Sequence, residues 1–313
     1  MFNTTHTFVG IAIARAGTEK WARNAMITAV LASNFPDIDS ITGLWGTAAY
    51  LDHHRGITHS LIGVPIFALI LSGVIYLFSE NFWRTYAIAL IAMASHPALD
   101  FLNSYGVRPF MPWSNHWYYG DAVFIIDPFL DLILLIGILV GSWFSKRKRT
   151  ATWLSFLAAA LYIGARVELH TMAVSNLVNR FAEIRNVTKS AALPEMSPAT
   201  WQAIIETQEK TTQFRLSPFG SPVAGNDPVV ELSNDPFDET VIEAAKARSA
   251  AALLRFARFP IARVERLPSG YRVTILDFRF YRDATKTSLA AKVTLDQSMR
   301  VTDEELSFVE PVN

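Results

Sequence analysis

Leu61-Ile62-Gly63-Val64-Pro65-Ile66-Phe67-Ala68-Leu69-Ile70-Leu71-Ser72-Gly73-Val74-Ile75-Tyr76-Leu77-Phe78-Ser79 is nineteen successive residues without a charge. As a helix it is about 28 Å long, close to the hydrocarbon thickness of a bilayer, and it predicts a transmembrane helix. The chain around it follows the same pattern. Residues 85–99, 128–144 and 151–165 are free of charge except for Asp131, and polar residues bound each run. Residues 8–14 and 25–35 are apolar but short, and fit partial spans packed against the longer helices. Short apolar helices occur in soluble cores too, but four long runs in one half of a chain favour a membrane bundle. Residues 1–7 lack a basic group and 8–16 are weakly apolar, so no signal peptide is expected.

Composition narrows the classes further. At 51% hydrophobic and 18% charged the chain is too apolar to be disordered. With 28 Lys+Arg against 28 Asp+Glu it has no overall basic field for a nucleic-acid partner. Cysteine is absent, which removes disulfides, thiolate zinc sites and a Cys nucleophile, so any metal ligands must be His and carboxylate.

Charge is unevenly spread: 21 of the 56 charged residues lie in 1–170. The expected fold is therefore a membrane all-α bundle of four to six helices over 1–170, then a helix and linker over 171–200, then a small soluble α+β domain with an antiparallel sheet over 201–313. Residues 172–184 continue as helix and 194–198 read as linker. Residues 201–207 and 212–216 read as strands around a turn, 239–256 as helix, and 271–280 as a half-buried strand that 289–295 can pair with. Asp277 and Arg279, two apart on that strand, read as a salt bridge or as solvated groups.

The loop Lys146-Arg147-Lys148-Arg149 is the most basic short connection, which places it in the cytoplasm. Counting helices outward from it, Arg15, Lys20, Arg23 and Arg84 fall on the same side. Residues 34–60, 100–127 and everything after 170 fall on the opposite, extracytoplasmic side.

This topology gathers six of the seven histidines and seven aspartates at one membrane face. His6 opens the first apolar segment, Asp37 and Asp39 end the second, and Asp52-His53-His54-Arg55-Gly56-Ile57-Thr58-His59-Ser60 opens the third. His96-Pro97-Ala98-Leu99-Asp100 ends the fourth, and Asp121 and Asp127 precede the fifth. Helix ends of a bundle converge, so ligands distant in sequence can meet. His96 and Asp100 are one helical turn apart and can bind the same ion. Asp37 and Asp39 flank Ile38, so in an extended turn their carboxylates can point the same way and one can bridge two ions. His59 sits near a helix N-terminus that Thr58 or Ser60 can cap.

Imidazole with carboxylate and no thiolate suits a divalent ion, zinc or manganese before iron, and the surplus of ligands allows two ions. The expected metal set is His6, Asp37, Asp39, His53, His59, His96, Asp100 and Asp121. His54 shares with His53 the role of completing it, and is paired with Arg55 as a catalytic candidate. The planar fork of Arg55 can hold a phosphate or carboxylate oxygen. Simpler roles compete elsewhere: a cap or surface residue for His116 and His170, a helix N-cap for Asp127 before Pro128, a polar contact at the bundle edge for Asp131, a turn for Asp52.

At these residues the sequence resembles the LexA-regulated, membrane-bound metal-dependent hydrolase family, the YdjM-like bacterial inner-membrane proteins. The resemblance rests on His6-Thr7 with Gly10, Pro36-Asp37-Ile38-Asp39, His54 to Ser60, His96 to Asp100 followed by Tyr105-Gly106, and Phe124-Ile125-Ile126-Asp127-Pro128, and covers residues 1 to about 140. It implies a metal-dependent hydrolase in a bacterial inner membrane, with those His and Asp residues as ligands and no substrate specified.

The leading expectation is a multi-pass membrane hydrolase that acts on an ester or phosphoester, as a small molecule or lipid-linked, among membrane lipids. A metal or proton transporter is the alternative, but it needs polar residues deeper in the helices, where 61–78 and 85–94 offer almost none. A non-catalytic protein with a structural metal site is a third.

Overall fold

The apolar runs of the first half become helices in the computed structural model, which describes residues 1–78, 81–181, 186–219, 229–233, 238–283, 286–287 and 289–307. In chain order these are α1 (Asn3–Arg15), α2 (Ala25–Asn34), a 3-10 segment (Phe35–Trp45), α3 (Thr47–His53), a 3-10 turn (Ile57–His59), α4 (Gly63–Tyr76), α5 (Phe82–Phe101), α6 (Pro128–Trp143) and α7 (Lys148–Phe181). Small residues let them close on one another. A Cβ on Gly10 would lie 2.4 Å from Ser33 Oγ, so only glycine lets α1 approach α2 this far; Gly137 does the same for α6 against Ser155 of α7. Ile88, Ala89, Met93, Leu130 and Leu134 fill the core between them.

The expectation of four long spans is met only in part. Helix α4 has 14 residues, about 21 Å, because residues 57–62 turn first and Ser60 Oγ accepts from the Gly63 N–H where the helix begins. Helix α6 has 16 residues, about 24 Å. Among the described residues one helix, Ser145–Asn179, is long and apolar enough by itself to cross a membrane; Thr47–His59 and Gly63–Tyr76 reach that length only as a pair bent by 80°. Asp127 is the cap foreseen for α6, accepting from the Phe129 and Leu130 N–H groups, and Asp131 receives the Thr5 hydroxyl.

The second half is antiparallel sheet with helices: β1 (Val187–Pro194), β2 (Trp201–Thr207), β3 (Lys210–Leu216), β4 (Val230–Ser233), α8 (Glu239–Ala244), α9 (Arg248–Phe256), β5 (Pro260–Leu267), β6 (Gly270–Asp277), β7 (Tyr281–Asp283), β8 (Lys286–Thr287), β9 (Ala290–Asp296) and β10 (Val301–Ser307). The strands form sheets of order β1-β2-β3-β4 and β10-β9-β6-β5, with β7-β8 a small ribbon. Strand β6 pairs with β9, Val273 opposite Val293.

Three details differ from the sequence reading. Residues 171–200 hold the last turns of α7 and also β1; 239–256 is two helices; and the strand expected over 271–280 ends at Asp277, whose side chain accepts from the Arg279 N–H and starts a 3-10 turn. Asp277 and Arg279 are buried and paired at 2.7 Å, with Arg279 also donating to Ser104 O and Phe256 O. That pair thus sits in the junction between the sheet domain and the helices. Arg258 to Asp121 at 2.7 Å and Arg255 to Asp52 at 2.7 Å complete the docking.

Candidate metal centre

Three segments deliver one polar cluster. The 3-10 segment after α2 carries Asp37 and Asp39, the turn before α4 carries His59, and the last turns of α5 carry His96 and Asp100 one above the other. The expected extended turn at Asp37 and Asp39 is instead 3-10 helix, yet both carboxylates reach the cluster.

Asp37 Oδ1 lies 3.3 Å from His96 Nε2 and 3.6 Å from His59 Nε2. Asp100 Oδ2 lies 3.5 Å from His59 Nε2 and 3.6 Å from His96 Nε2. Ligands about 2.0–2.1 Å from a tetrahedral zinc stand about 3.4 Å apart, so these four nitrogen-to-oxygen distances match a coordination shell, and the four residues present ligand atoms all within 4.8 Å of one another. Their other atoms are already engaged. His96 Nδ1 donates to Ser33 O at 2.7 Å, which leaves the Nε2 lone pair facing the cluster. His59 Nδ1 donates to Thr58 Oγ1 at 2.9 Å, while the Thr58 hydroxyl donates to Asp39 Oδ2 at 2.6 Å. Among the described residues His59 Nε2 and His96 Nε2 are buried without a hydrogen-bond partner, and the buried Asp100 Oδ2 has Arg55 Nε 3.1 Å away. Orphaned acceptors in such a place fit a cation.

A second group shares Asp37: Asp37, Asp39 and His54 also present atoms close enough for one ion. It is less free, because Asp39 Oδ1 meets His54 Nδ1 at 2.7 Å and Oδ2 accepts from the Arg55 N–H and Thr58. His54 stacks on Tyr50, ring centroids 4.6 Å apart. Burial would push the carboxyls of Asp37 and Asp39 up, but the imidazoles beside them outweigh it, His59 and His96 for the first and His54 and His59 for the second. Both are held well below the ordinary carboxylate range. Burial also lowers the His54 imidazole, despite Asp39 beside it. Neutral imidazole and ionised carboxylate are the protonation states that bind metal.

His6, from α1, lies beside the first group without belonging to it. Its ring stacks on His96 at 3.6 Å, its Nε2 is 3.5 Å from Asp100 Oδ1, and both its nitrogens are buried without a partner. The Met1 amino group also bonds Asp100 Oδ1.

The remaining candidates lie differently. Arg55 was expected to clamp substrate, but it is buried and its fork is spent on the protein: Nε is 3.1 Å from Asp100 Oδ2, and Nη1 donates to Asn103 Oδ1 and Gly106 O. It holds Asp100 in place. His53 is exposed at the end of α3 and meets none of the cluster. Asp121 lies outside both groups, its Oδ2 paired with Arg258. Sequence reading overlooked Asn103, Ser33 and Tyr50 as supports, and none of them carries a local signal; Thr58 appeared only as a possible cap.

The family described as YdjM inner membrane protein matches residues 1–173, which include every residue of the cluster. The chain is also similar to the uncharacterized protein YfhP of Bacillus subtilis (strain 168), 27% identical over 291 residues, an alignment covering 88% of this chain and 86% of that one. No solved structure matches. With the match spanning more than half its length, the chain belongs to the YdjM inner membrane protein family.

Proposed function

We propose that this is a multi-pass inner-membrane hydrolase for esters or phosphoesters, dependent on a divalent ion held by Asp37, His59, His96 and Asp100. The observation that carries the reading is the spacing of two imidazole nitrogens and two carboxylate oxygens, 3.3–3.6 Å from nitrogen to oxygen, with both nitrogens buried and, among the described residues, without a hydrogen-bond partner. Zinc suits this tetrahedron and manganese is the other candidate, with a second, weaker ion between Asp37, Asp39 and His54. A divalent ion there supplies Lewis acidity and makes water a nucleophile near neutral pH. The chain's residues do the rest. Ser33 and Thr58 fix the imidazole tautomers, Arg55 fixes Asp100, and with only the first ion bound His54 and Asp39 form a pair able to hold a proton.

The membrane placement rests on exposed side chains rather than helix length. Leu69, Ile70 and Val74 of α4, Leu132, Ile136 and Leu139 of α6, and Leu154, Leu157 and Leu161 of α7 are all exposed, more apolar surface than a water-facing bundle presents. At one end exposed Trp21, Trp83, Trp143 and Trp153 gather with the basic loop, joined by Arg84 to Trp21 O and Trp153 to Ala16 O. That end suits the cytoplasmic interface, and on this reading the metal cluster and the sheet domain lie on the other side.

A specific observation favours a second reading. Four protein ligands can fill a tetrahedron, as in structural zinc sites. The two readings part in one experiment: detergent-purified protein is assayed for bound metal and for hydrolysis of a panel of esters and phosphoesters. Metal with turnover, both lost in the Asp37→Ala, His96→Ala double variant, supports the hydrolase. Metal without turnover on any substrate refutes it in favour of the structural site.

A further inference from the structure

The cluster has one open side. His6, His59, His96 and Asp100 are buried, whereas the side chains of Asp37 and His54 keep 17% and 19% of their surface exposed. Arg55, with the Tyr105 ring 5.6 Å from its guanidinium carbon, closes the back, and Tyr105 in turn packs on Phe256 and Phe280 of the sheet domain. Anything that reaches the metals must come past Asp37 and His54.

That approach is apolar where a site for a water-soluble substrate would be polar. The 3-10 segment that supplies both aspartates also exposes Ile38, Ile41, Leu44 and Trp45, the last two to 82% and 67%. Leu61, 68% exposed, stands between His59 and the first turn of α4. From it the exposed face of α4 continues through Ile66, Leu69 and Ile70. The chain bends by 80° between the segment ending at His59 and α4, so the ligand-bearing part runs across the start of α4. Trp45 is the residue type that settles at a bilayer interface. Apolar surface continuous with a membrane-facing helix is covered by lipid, and here it leads to the open side of a polar centre.

We propose that the centre takes a membrane amphiphile with an anionic, oxygen-rich head, and takes it sideways from the bilayer. The head reaches the ions past Asp37 and His54, while the hydrocarbon chain lies over Ile38, Ile41 and Leu44 and along α4. This rests on the metal-centre reading above and adds the substrate class and its route. The side chains of the 3-10 segment then determine specificity: they select for chain length without touching the ions.

The test uses the full chain in nanodiscs, loaded with manganese, and two non-hydrolysable probes that share a head, hexadecylphosphonate and methylphosphonate. Approach of the head to the ion is read from paramagnetic broadening of the phosphorus signal. The Asp37→Asn, His96→Ala variant corrects for partition into the disc. Wild type is expected to bind the long probe at least a hundredfold more tightly than the short one after that correction. The Ile41→Asp, Leu44→Asp double variant is expected to lose tenfold or more for the long probe, with methylphosphonate binding and metal content unchanged. Equal affinity for the two probes, or equal loss of both in the double variant, overturns the inference. So does a double variant that changes the oligomeric mass and leaves both probes bound as before, because the apolar surface then belongs to a second copy of the chain. Failure of wild type to take up manganese at all overturns instead the metal-centre reading beneath it.

Discussion

Asp37 is the one residue common to both candidate ion groups, and replacing it with Asn keeps its volume while removing the charge. An ion present at a thousand times its Kd stabilises the folded state by about 4 kcal/mol. For 313 residues, with an unfolding entropy of about 2.1 cal/mol/K per residue, that raises Tm by about 6 °C. Changes to residues that merely support ligands cost about 10–100-fold in metal affinity, so loss of the shared ligand is expected to cost at least about a hundredfold. At the same metal concentration the Asn variant then sits near ten times its Kd, and the increment falls to about 1.4 kcal/mol, or about 2 °C. The assay is thermal unfolding in detergent with and without zinc, beside elemental analysis. His54→Ala is the control: it is expected to keep the full increment and lose only the weaker ion. An Asp37→Asn variant with the wild-type increment and stoichiometry would refute the geometry, as would His53→Ala if it matched Asp37→Asn, since His53 lies outside the cluster.

Asp121→Asn is expected to leave bound metal unchanged but to lower stability by about 3 kcal/mol, because Arg258 is left partly buried without its partner; metal content measured beside denaturant unfolding checks both halves. Asp127→Ala removes the cap of α6 and the acceptor of the Tyr162 hydroxyl, about 1 kcal/mol for the first and 1–2 kcal/mol for the second, read as a fall in Tm with metal retained. Burial keeps the His54 imidazole neutral below its ordinary value of 6.5. Binding at the weaker group should therefore survive acidification through pH 6.5 and fade only as pH falls through the lowered value; calorimetric titrations showing half-loss at or above 6.5 would contradict this. In the same window the metal-free protein should lose stability as pH drops, because the unfolded chain takes up a proton that folded His54 does not.

What the sequence made legible and what it hid have physical causes. Asp127-Pro128 marks the start of α6 because both act within one turn, and the alternation at 271–276 marks β6 because one strand carries it. The ligands stand out because imidazoles and carboxylates are conspicuous beside apolar runs. The late start of α4 is hidden because the Leu61 N–H pairs with Pro109 O, forty-eight residues away in the chain. Strand β1 is hidden because it does not alternate: Ala191 faces the second sheet while Ala192 faces α7, so both faces are buried. The settings of Arg55 and Asp121 were hidden for one reason. A charged residue near ligands looks functional until its partner is known, and Gly106, Asn103 and Arg258 supply partners that no local pattern announces.

Those partners also show how the centre is divided between the two halves of the chain. Asp37, His59, His96 and Asp100 are held by α2, α5 and the turn before α4, whereas His54 follows α3, which lies against α9 of the sheet domain. Two of the contacts that hold α3 there can be weighed against each other. The Arg255 to Asp52 pair is bidentate but half exposed, and such pairs contribute at most about 1 kcal/mol. Leu51 is 5% exposed and packs with Leu253 and the second sheet, where truncation to Ala costs about 2–4 kcal/mol. Packing therefore governs the position of His54, and the charge pair only trims it. Leu51→Ala is expected to weaken the second ion about tenfold with the first unchanged, and Arg255→Ala to do neither, by calorimetric titration of each. Equal loss at both ions in Leu51→Ala would mean that the helices and the sheet domain form one indivisible support; a larger loss in Arg255→Ala than in Leu51→Ala would mean that charge, not packing, sets the position of His54.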